Sequence, residues 1–415
     1  MKIAVLTLGC KTNQAESMRI EHALNKAGHR IVDISGEPDL CIINTCTVTS
    51  KADYQSRQII NKALKNNTKK VIVTGCYAEL NKEQLENMGC DIEVIRNSNK
   101  DNIINMIPNG FFSNNTSFNM HARHRPIVKV QDGCNHSCSY CVIPMARGRS
   151  RSVAVDDVIN EIKSYESLGY KEIVITGIHL GTYGCDLKPK KTLSFLLHNI
   201  LKNTNIPRIR LSSLEIKEID DELIELLKEG RVCKHLHIPL QSGDDNILKL
   251  MNRTYSVEDF FSGIEKIFKK VPDIALGTDV IVGFPGEGEV EFNNTKQLIE
   301  SIPFSYLHVF PYSSRPKTKA ATFTKQVAGA IKKERVSILR EIGMIKKQDF
   351  IRKNIGRTLD IVIEDRSCDR LIGTAGNYIK VILKDSSDAE AGMLVNAHIL
   401  GYKDDIAIGS LVKNL

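Results

Sequence analysis

The sequence predicts an α/β protein in three parts: a doubly wound parallel N-terminal domain, a partial (β/α)6 barrel and a small C-terminal β-barrel. Three observations predict it. Apolar runs of strand length alternate with amphipathic helical patterns through roughly the first hundred residues, as happens when helices cover both faces of a parallel sheet. The alternation restarts at Ile127 and yields six strand patterns by Phe310, as in an incomplete parallel barrel. After Gly356 the pattern changes to short alternating runs separated by Gly-containing turns. The expected boundaries are 1–110, a linker at 111–125 rich in Asn, Ser and His, 126–350 and 351–415.

Composition narrows the class. A chain of 415 residues, 42% of them apolar, is too long for one core and has enough apolar residues for two or three. Lys and Arg total 57 against 49 Asp and Glu, a net +8 that permits a nucleic-acid partner without demanding one. Eleven cysteines at uneven spacing, with no secretory leader, are expected as ligands and free thiols in a reducing cytoplasm. The opening Lys2–Cys10 looks like a lipoprotein signal at first sight, but its apolar run is short and flows into a helical pattern. No stretch approaches the about eighteen apolar residues of a membrane span, so no membrane is expected.

In chain order, Lys2 to Leu8 is an apolar run ending at Gly9-Cys10. Asn13 to Ala27 predicts a helix stopped by Gly28, and Ile31 to Ile34 a short strand. Leu40 to Asn44 is a second run ending at Thr45-Cys46, and Ser50 caps a helix through Leu64. Val71 to Thr74 is a third, ending at Gly75-Cys76. The barrel strands are expected at Ile127–Val130, Glu172–Thr176, Arg208–Ser212, His235–Ile238, Ile274–Val282 and Ser305–Phe310. A basic helix, Ala330 to Arg352, with Val336, Leu339, Ile342 and Ile345 on one side, leads to the tail. Tail strands are expected at Leu359–Ile363, Leu394–Leu400 and, after a turn, towards Val381.

The chemistry concentrates in Asp132-Gly-Cys134-Asn-His-Ser-Cys138-Ser-Tyr-Cys141, which places three thiols in one loop. Three thiolates can hold three irons of a 4Fe-4S cubane and leave the fourth iron open to a chelating molecule. A structural zinc site would want a second ligand pair downstream, and the next cysteine, Cys185, stands alone. His136 is given no role. The spacing resembles the signature of radical S-adenosyl-L-methionine (SAM) enzymes, in which SAM takes the open iron.

Cys10, Cys46 and Cys76 each follow the carboxyl end of a buried strand, the edge at which ligands bind in open α/β sheets. A lone cysteine there reads as a buried free thiol, whereas three at equivalent strand ends favour a second three-thiolate cluster. Cys41 and Cys90 lack that placement. On the barrel, active-site groups are expected at the carboxyl ends of the strands. Thr176-Gly177, Ser212, Ser213, Glu215, Gln241 and Gly283-Phe-Pro-Gly286-Glu all fall there, although each alone reads as a turn or a solvated loop. Thr176, Gly177, Ser213, Glu215 and Gln241 are the candidates for holding SAM, with Tyr140 against its adenine. His235 and His237 alternate onto one strand face and are expected to be buried and hydrogen-bonded rather than ligands.

Along nearly the whole chain the residues resemble one family. Cys10-Lys-Thr-Asn-Gln14, Asn44-Thr-Cys46-Thr-Val, Thr74-Gly-Cys76-Tyr-Ala, Gln131-Asp-Gly-Cys134, Arg147-Gly-Arg-Ser-Arg151-Ser, Leu211-Ser-Ser-Leu-Glu215, Pro239-Leu-Gln-Ser-Gly243 and Val282-Gly-Phe-Pro-Gly-Glu287 resemble the methylthiotransferases. Within them the chain is similar to the MtaB-type enzymes, which act on threonylcarbamoyl-adenosine beside the tRNA anticodon. The tail resembles the RNA-binding TRAM domain. The resemblance implies two 4Fe-4S clusters, on Cys134/Cys138/Cys141 and Cys10/Cys46/Cys76, with SAM as cofactor. It also implies a tRNA anticodon stem-loop as substrate, an electron donor such as flavodoxin or ferredoxin, and a sulfur source. Arg147, Arg149 and Arg151 are expected on RNA phosphates.

Ala15, Met145, Ile216 and Lys317 depart from the family pattern, Lys317 replacing the expected Gly after Arg-Pro. They bear on substrate contacts and remove no cluster ligand. The same chemistry on isopentenyl-adenosine or on a ribosomal-protein aspartate, and a non-catalytic metal-containing RNA-binding protein, are the alternatives.

Overall fold

The computed structural model describes residues 1–66, 68–89, 91–108, 124–367, 370–384 and 389–412. Cys90 and most of the expected linker lie outside them. The chain divides into two compact units that cut across the expected boundaries. Residues Asp132–Arg151 and Ser313–Ala321 pack with Met1–Ala122, and the remainder forms the second unit.

The first unit is built on a parallel sheet of β1 (Lys2–Thr7), β2 (Arg30–Ile31), β3 (Leu40–Thr45), β4 (Lys70–Gly75) and β5 (Ile92–Val94), in the order β2-β1-β3-β4-β5. Every residue of β3 is buried, as an apolar central strand requires. Alternate residues feed two cores: Ala4, Cys41 and Ile43 face one, Ile3, Leu40 and Ile42 the other. Helices α1 (Lys11–Lys26) and α2 (Ser50–Lys65) contribute to opposite cores, Leu24 to one and Ile60 to the other, which is the doubly wound arrangement. Short helices α3 (Cys76–Leu80) and α4 (Lys82–Glu86) come after β4. Two expectations shift. The second strand stops at Ile31 because Ile34–Gly36 turns into a 3-10 helix, and β5, only three residues long, carries too little periodicity to be anticipated.

In the second unit β6 (Ile127–Lys129) begins the barrel; the two-residue strands β7 (Gln131–Asp132) and β8 (Arg151–Ser152), which bracket the cysteine loop, fall where the chain passes from one unit to the other. The barrel continues through β9 (Glu172–Thr176), β10 (Arg208–Leu211), β11 (His235–His237), β12 (Ala275–Val282) and β13 (Tyr306–Pro311). All six barrel strands lie near their expected positions. They pair in parallel as two runs, β6-β9-β10 and β11-β12-β13. Gly277 stands opposite Tyr306, and a Cβ there would collide with the tyrosine ring. The glycine gives that ring room to reach His235 Nε2 at 2.8 Å and His237 Nδ1 at 3.0 Å with its hydroxyl.

The helix Gly329–Arg352 leads to the tail. Gly343 lets it close on Leu307, while Ile345, expected on the buried side, is half exposed. The tail is a closed five-stranded barrel of β14 (Thr358–Ser367), β15 (Arg370–Ala375), β16 (Lys380–Lys384), β17 (Leu394–Lys403) and β18 (Ile406–Leu411), in the order β14-β15-β16-β18-β17. The single strand expected towards Val381 is a hairpin, β15 and β16, because Gly376-Asn377-Tyr378 turns the chain with Tyr378 at φ 69°.

That turn is held by buried charge. Arg210 donates to Gly376 O and Ala375 O, each at 3.0 Å, and Arg208 donates to Thr374 O at 3.1 Å and Asp360 O at 2.9 Å. Both guanidiniums pair with the fully buried Glu172. The ring of Tyr378 stacks on His235 at 4.4 Å between centroids.

Candidate metal centres and their surroundings

Cys10 precedes α1, Cys46 succeeds β3 and Cys76 opens α3 directly after β4, so β1, β3 and β4, three adjacent strands, deliver the three thiols to one sheet edge. Gly9 lies so close to Cys46 that a Cβ there would stand 3.0 Å from its Sγ. Gly75, at φ 99°, brings β4 against β3, where a Cβ would collide with Thr45 O. Burial pushes the Cys46 thiol up to about 12, and charge on Cys76 and Cys10 pushes the same way. Three thiols gathered at one sheet edge are the soft donor set that an iron-sulfur cluster takes, and each must lose its proton to serve as a ligand. Cys41 lies within β3 and is raised to about 12 by burial alone.

The second triplet occupies a loop closed by Cys134 N–H donating to Gly148 O at 3.1 Å and Cys141 N–H to Cys138 O at 3.0 Å. Backbone N–H groups already aim at two sulfurs: His136 N lies 3.4 Å from Cys134 Sγ and Ile143 N 3.5 Å from Cys141 Sγ. Such donors stabilise bound thiolates in iron-sulfur sites, so the loop fits the group the spacing calls for. Helix α5 (Ile143–Arg147) comes next, and Asn135 Oδ1 accepts from Ser150 N at 3.1 Å.

Arg147 departs from its expected role. Its side chain is fully buried and makes no approach to solvent, so it is not a phosphate contact. Nε donates to Cys76 Sγ at 3.2 Å, Nη1 to Glu16 Oε1 at 2.8 Å and Asp132 Oδ1 at 2.9 Å, and Nη2 to Asn13 Oδ1. Glu16 also receives Lys100 Nζ at 2.6 Å, and Lys100 reaches Asn44 Oδ1 at 3.2 Å. Burial pushes the Cys76 thiol up, while the Arg147 charge pulls it down. Arg149 and Arg151 are exposed, Arg151 donating to Arg147 O at 3.1 Å.

Sequence reasoning gave no role to Glu16, Lys100 or Asp132. Nothing in the pattern around Glu16 and Lys100 marks them, and only their burial distinguishes them.

In the second unit, Thr176 ends β9, and its carbonyl accepts from Val130 N at 2.9 Å. At Gly177 a Cβ would meet Gln131 Oε1 at 2.7 Å. Ser213 is exposed beyond β10, Glu215 pairs with Arg253 at 2.7 Å, and Gln241, at φ 63°, bridges to Val280 beyond β11. The five residues thus occupy carboxyl ends of barrel strands, while Tyr140 belongs to the cysteine loop. His235 and His237 are buried and hydrogen-bonded, as expected. Asp279 Oδ1 accepts from His237 Nε2 at 2.9 Å and His308 Nδ1 at 3.1 Å. Burial alone would raise its pKa, and these two bonds hold it well below the usual carboxylate range.

The Radical SAM superfamily matches residues 128–299, and the uncharacterized protein family UPF0004 matches residues 2–96. The chain is 38% identical, over 96% of its length and 100% of the relative's, to the threonylcarbamoyladenosine tRNA methylthiotransferase MtaB of Aquifex aeolicus. It is 31% identical, over 98% of its length and 90% of the relative's, to the tRNA-2-methylthio-N(6)-dimethylallyladenosine synthase of Acetivibrio thermocellus. Its fold is similar to the radical SAM methyltransferase TsrM of Kitasatospora setae, solved with cobalamin and a 4Fe-4S cluster, at TM-score 0.59, 13% identity and 77% coverage of each chain.

Proposed function

Since the chain belongs to the radical SAM methylthiotransferases, enzymes that transfer a sulfur-containing group using SAM and 4Fe-4S clusters, we propose that it methylthiolates C2 of threonylcarbamoyladenosine beside the anticodon of tRNA. The bond from Arg147, on the segment carrying Cys134, Cys138 and Cys141, to Cys76 of the other triplet carries this reading, because the transfer needs two thiol-ligated centres close together. The higher identity to the relative named for threonylcarbamoyladenosine favours that nucleoside over dimethylallyladenosine.

When bound, the clusters and SAM supply the one-electron and sulfur chemistry that side-chain acids and bases cannot bring to an unactivated aromatic C–H. The chain's residues bind and orient. Cys134, Cys138 and Cys141 hold the cluster that takes SAM, and Cys10, Cys46 and Cys76 hold the auxiliary one. Tyr140, Thr176, Gly177, Ser213, Glu215 and Gln241 hold SAM itself. Arg149, Arg151 and the terminal barrel, a TRAM domain in this reading, meet RNA phosphates, with Arg147 withdrawn from that set. The target base lies in an unpaired loop and is splayed out at low cost. An electron donor such as flavodoxin or ferredoxin, a sulfur source and a cytoplasmic location complete the proposal. No described helix is long and apolar enough to cross a membrane.

Mass spectrometry of tRNA nucleosides from cells with and without the gene tests it. Loss of the methylthiolated threonylcarbamoyladenosine, with accumulation of its unthiolated precursor, is expected. An unchanged nucleoside overturns the substrate.

A further inference from the structure

We infer that Arg147 is a positioning residue for the auxiliary cluster: its guanidinium, carried by the segment of the other thiol triplet, grips the Cys76 thiolate and raises the reduction potential of the cluster that thiolate ligates. The inference rests on the proposed ligand role of Cys10, Cys46 and Cys76.

The geometry is that of a charge-assisted N–H···S bond, with Arg147 Nε 3.2 Å from Cys76 Sγ. Both partners are buried, so water does not damp the interaction. The donor cannot swing away. Nη1 is held by Glu16 and Asp132, and Nη2 by Asn13, whose own amide donates to Leu8 O at 2.7 Å and Thr45 O at 2.9 Å. The guanidinium plane is therefore locked from both cysteine-bearing regions of this unit. Asp132 stands two residues before Cys134, and Asn13 lies in the first turn of the helix that Cys10 precedes.

Reduction adds one electron to a cluster and makes its sulfurs more negative. A fixed cation and hydrogen bond at a ligand sulfur favour that reduced form, which raises the potential. Glu16 acts in the opposite sense, since its carboxylate partly neutralises Arg147. The two residues thus predict shifts of opposite sign, which a purely structural role does not.

The test uses the full-length chain with Cys134, Cys138 and Cys141 changed to Ala, so that only the auxiliary cluster is loaded. After anaerobic reconstitution, iron and sulfide are counted. The midpoint is then read by potentiometric titration with electron paramagnetic resonance, dithionite supplying one electron per cluster. Arg147→Gln is expected to move the midpoint to more negative potential, Arg147→Lys to move it less, and Glu16→Gln to move it to more positive potential. A loaded Arg147→Gln protein with an unmoved midpoint overturns the inference. If Arg147→Gln takes up no iron, Arg147→Lys and Glu16→Gln decide, and no movement in either overturns it. A parent chain that binds no iron overturns the ligand reading first, and the inference with it.

Discussion

Arg315 Nη2 stands 2.6 Å from Asp53 Oδ2 although 262 residues separate them, and the same nitrogen donates to Thr47 Oγ1 at 2.7 Å. Thr47 is the residue after Cys46, and its hydroxyl donates to Asp53 Oδ1 at 2.7 Å. A residue from late in the chain therefore holds the loop that presents one thiol. The same segment reaches the other triplet, where Ala320 N–H donates to Ser139 O at 2.8 Å. Arg315→Ala leaves Asp53 half-buried without its cation, a loss of about 3 kcal/mol for a buried pair broken on one side. Chemical denaturation is expected to show that loss, and iron analysis a lowered content in the protein whose other triplet is Ala. Full iron retention would show that the Cys46 loop holds its shape without the clamp.

Gly133 adopts φ 72°, and a Cβ there would collide with Arg149 O. The return of the chain over Cys134 therefore requires bare backbone. Gly133→Ala is expected to open the loop and lower the iron bound by Cys134, Cys138 and Cys141. In a chain where the auxiliary cysteines are Ala, the visible absorption of the reconstituted protein should fall severalfold. Wild-type absorption would contradict the requirement.

Lys317 is a lysine in a glycine's conformation. With φ 66° it occupies the third position of the turn Arg315-Pro316-Lys317-Thr318, which Thr318 N–H closes onto Arg315 O at 3.2 Å. A left-handed side-chain residue costs about 1–2 kcal/mol, and glycine returns part of that as unfolded-state entropy. Lys317→Gly is expected to stabilise the protein by roughly 0.5 kcal/mol, read as a rise in denaturation midpoint at unchanged m. A fall in the midpoint would mean that the lysine side chain makes a compensating contact.

Glu172 carries the pH dependence of the tail's attachment. Burial alone would raise its pKa, but Arg210 and Arg208 hold it at about 2, below its ordinary 4.5. A depressed folded pKa contributes stability that is fully present above the unfolded value. It is lost as pH falls from about 4.5 toward 2. Glu172→Gln is expected to cost about 3–5 kcal/mol at neutral pH, because two buried guanidiniums lose the buried carboxylate they share, and Arg208 keeps only the half-exposed Asp360. Its stability should also vary less between pH 5 and 3 than the wild type's. Denaturation curves at the two pH values decide the matter, and parallel losses in both proteins would refute the assignment.

Much of this molecule is legible in its sequence. Strand ends announce Cys10, Cys46 and Cys76 because a buried parallel strand is a continuous apolar run, and the residue after its last apolar position must stand at the sheet's carboxyl edge. The loop of Cys134, Cys138 and Cys141 is legible because its thiols are close together in the chain. The six barrel strands and the change of pattern at the tail come from periodicity. Strand β5 escapes because three residues carry too little period to register, and β15 because its Gly373, so close to Gly376, reads as turn rather than strand.

Tertiary structure alone decided the fate of the charges. Arg147, Arg149 and Arg151 look alike in sequence, yet packing buries the first against Cys76 and Glu16 and leaves the other two in water. Glu16, Lys100, Glu172 and Arg315 are likewise ordinary until partners from distant segments enclose them. A charged side chain states its type in the sequence, but its energy depends on the dielectric around it and on the partner it meets, and both are created only when the chain folds.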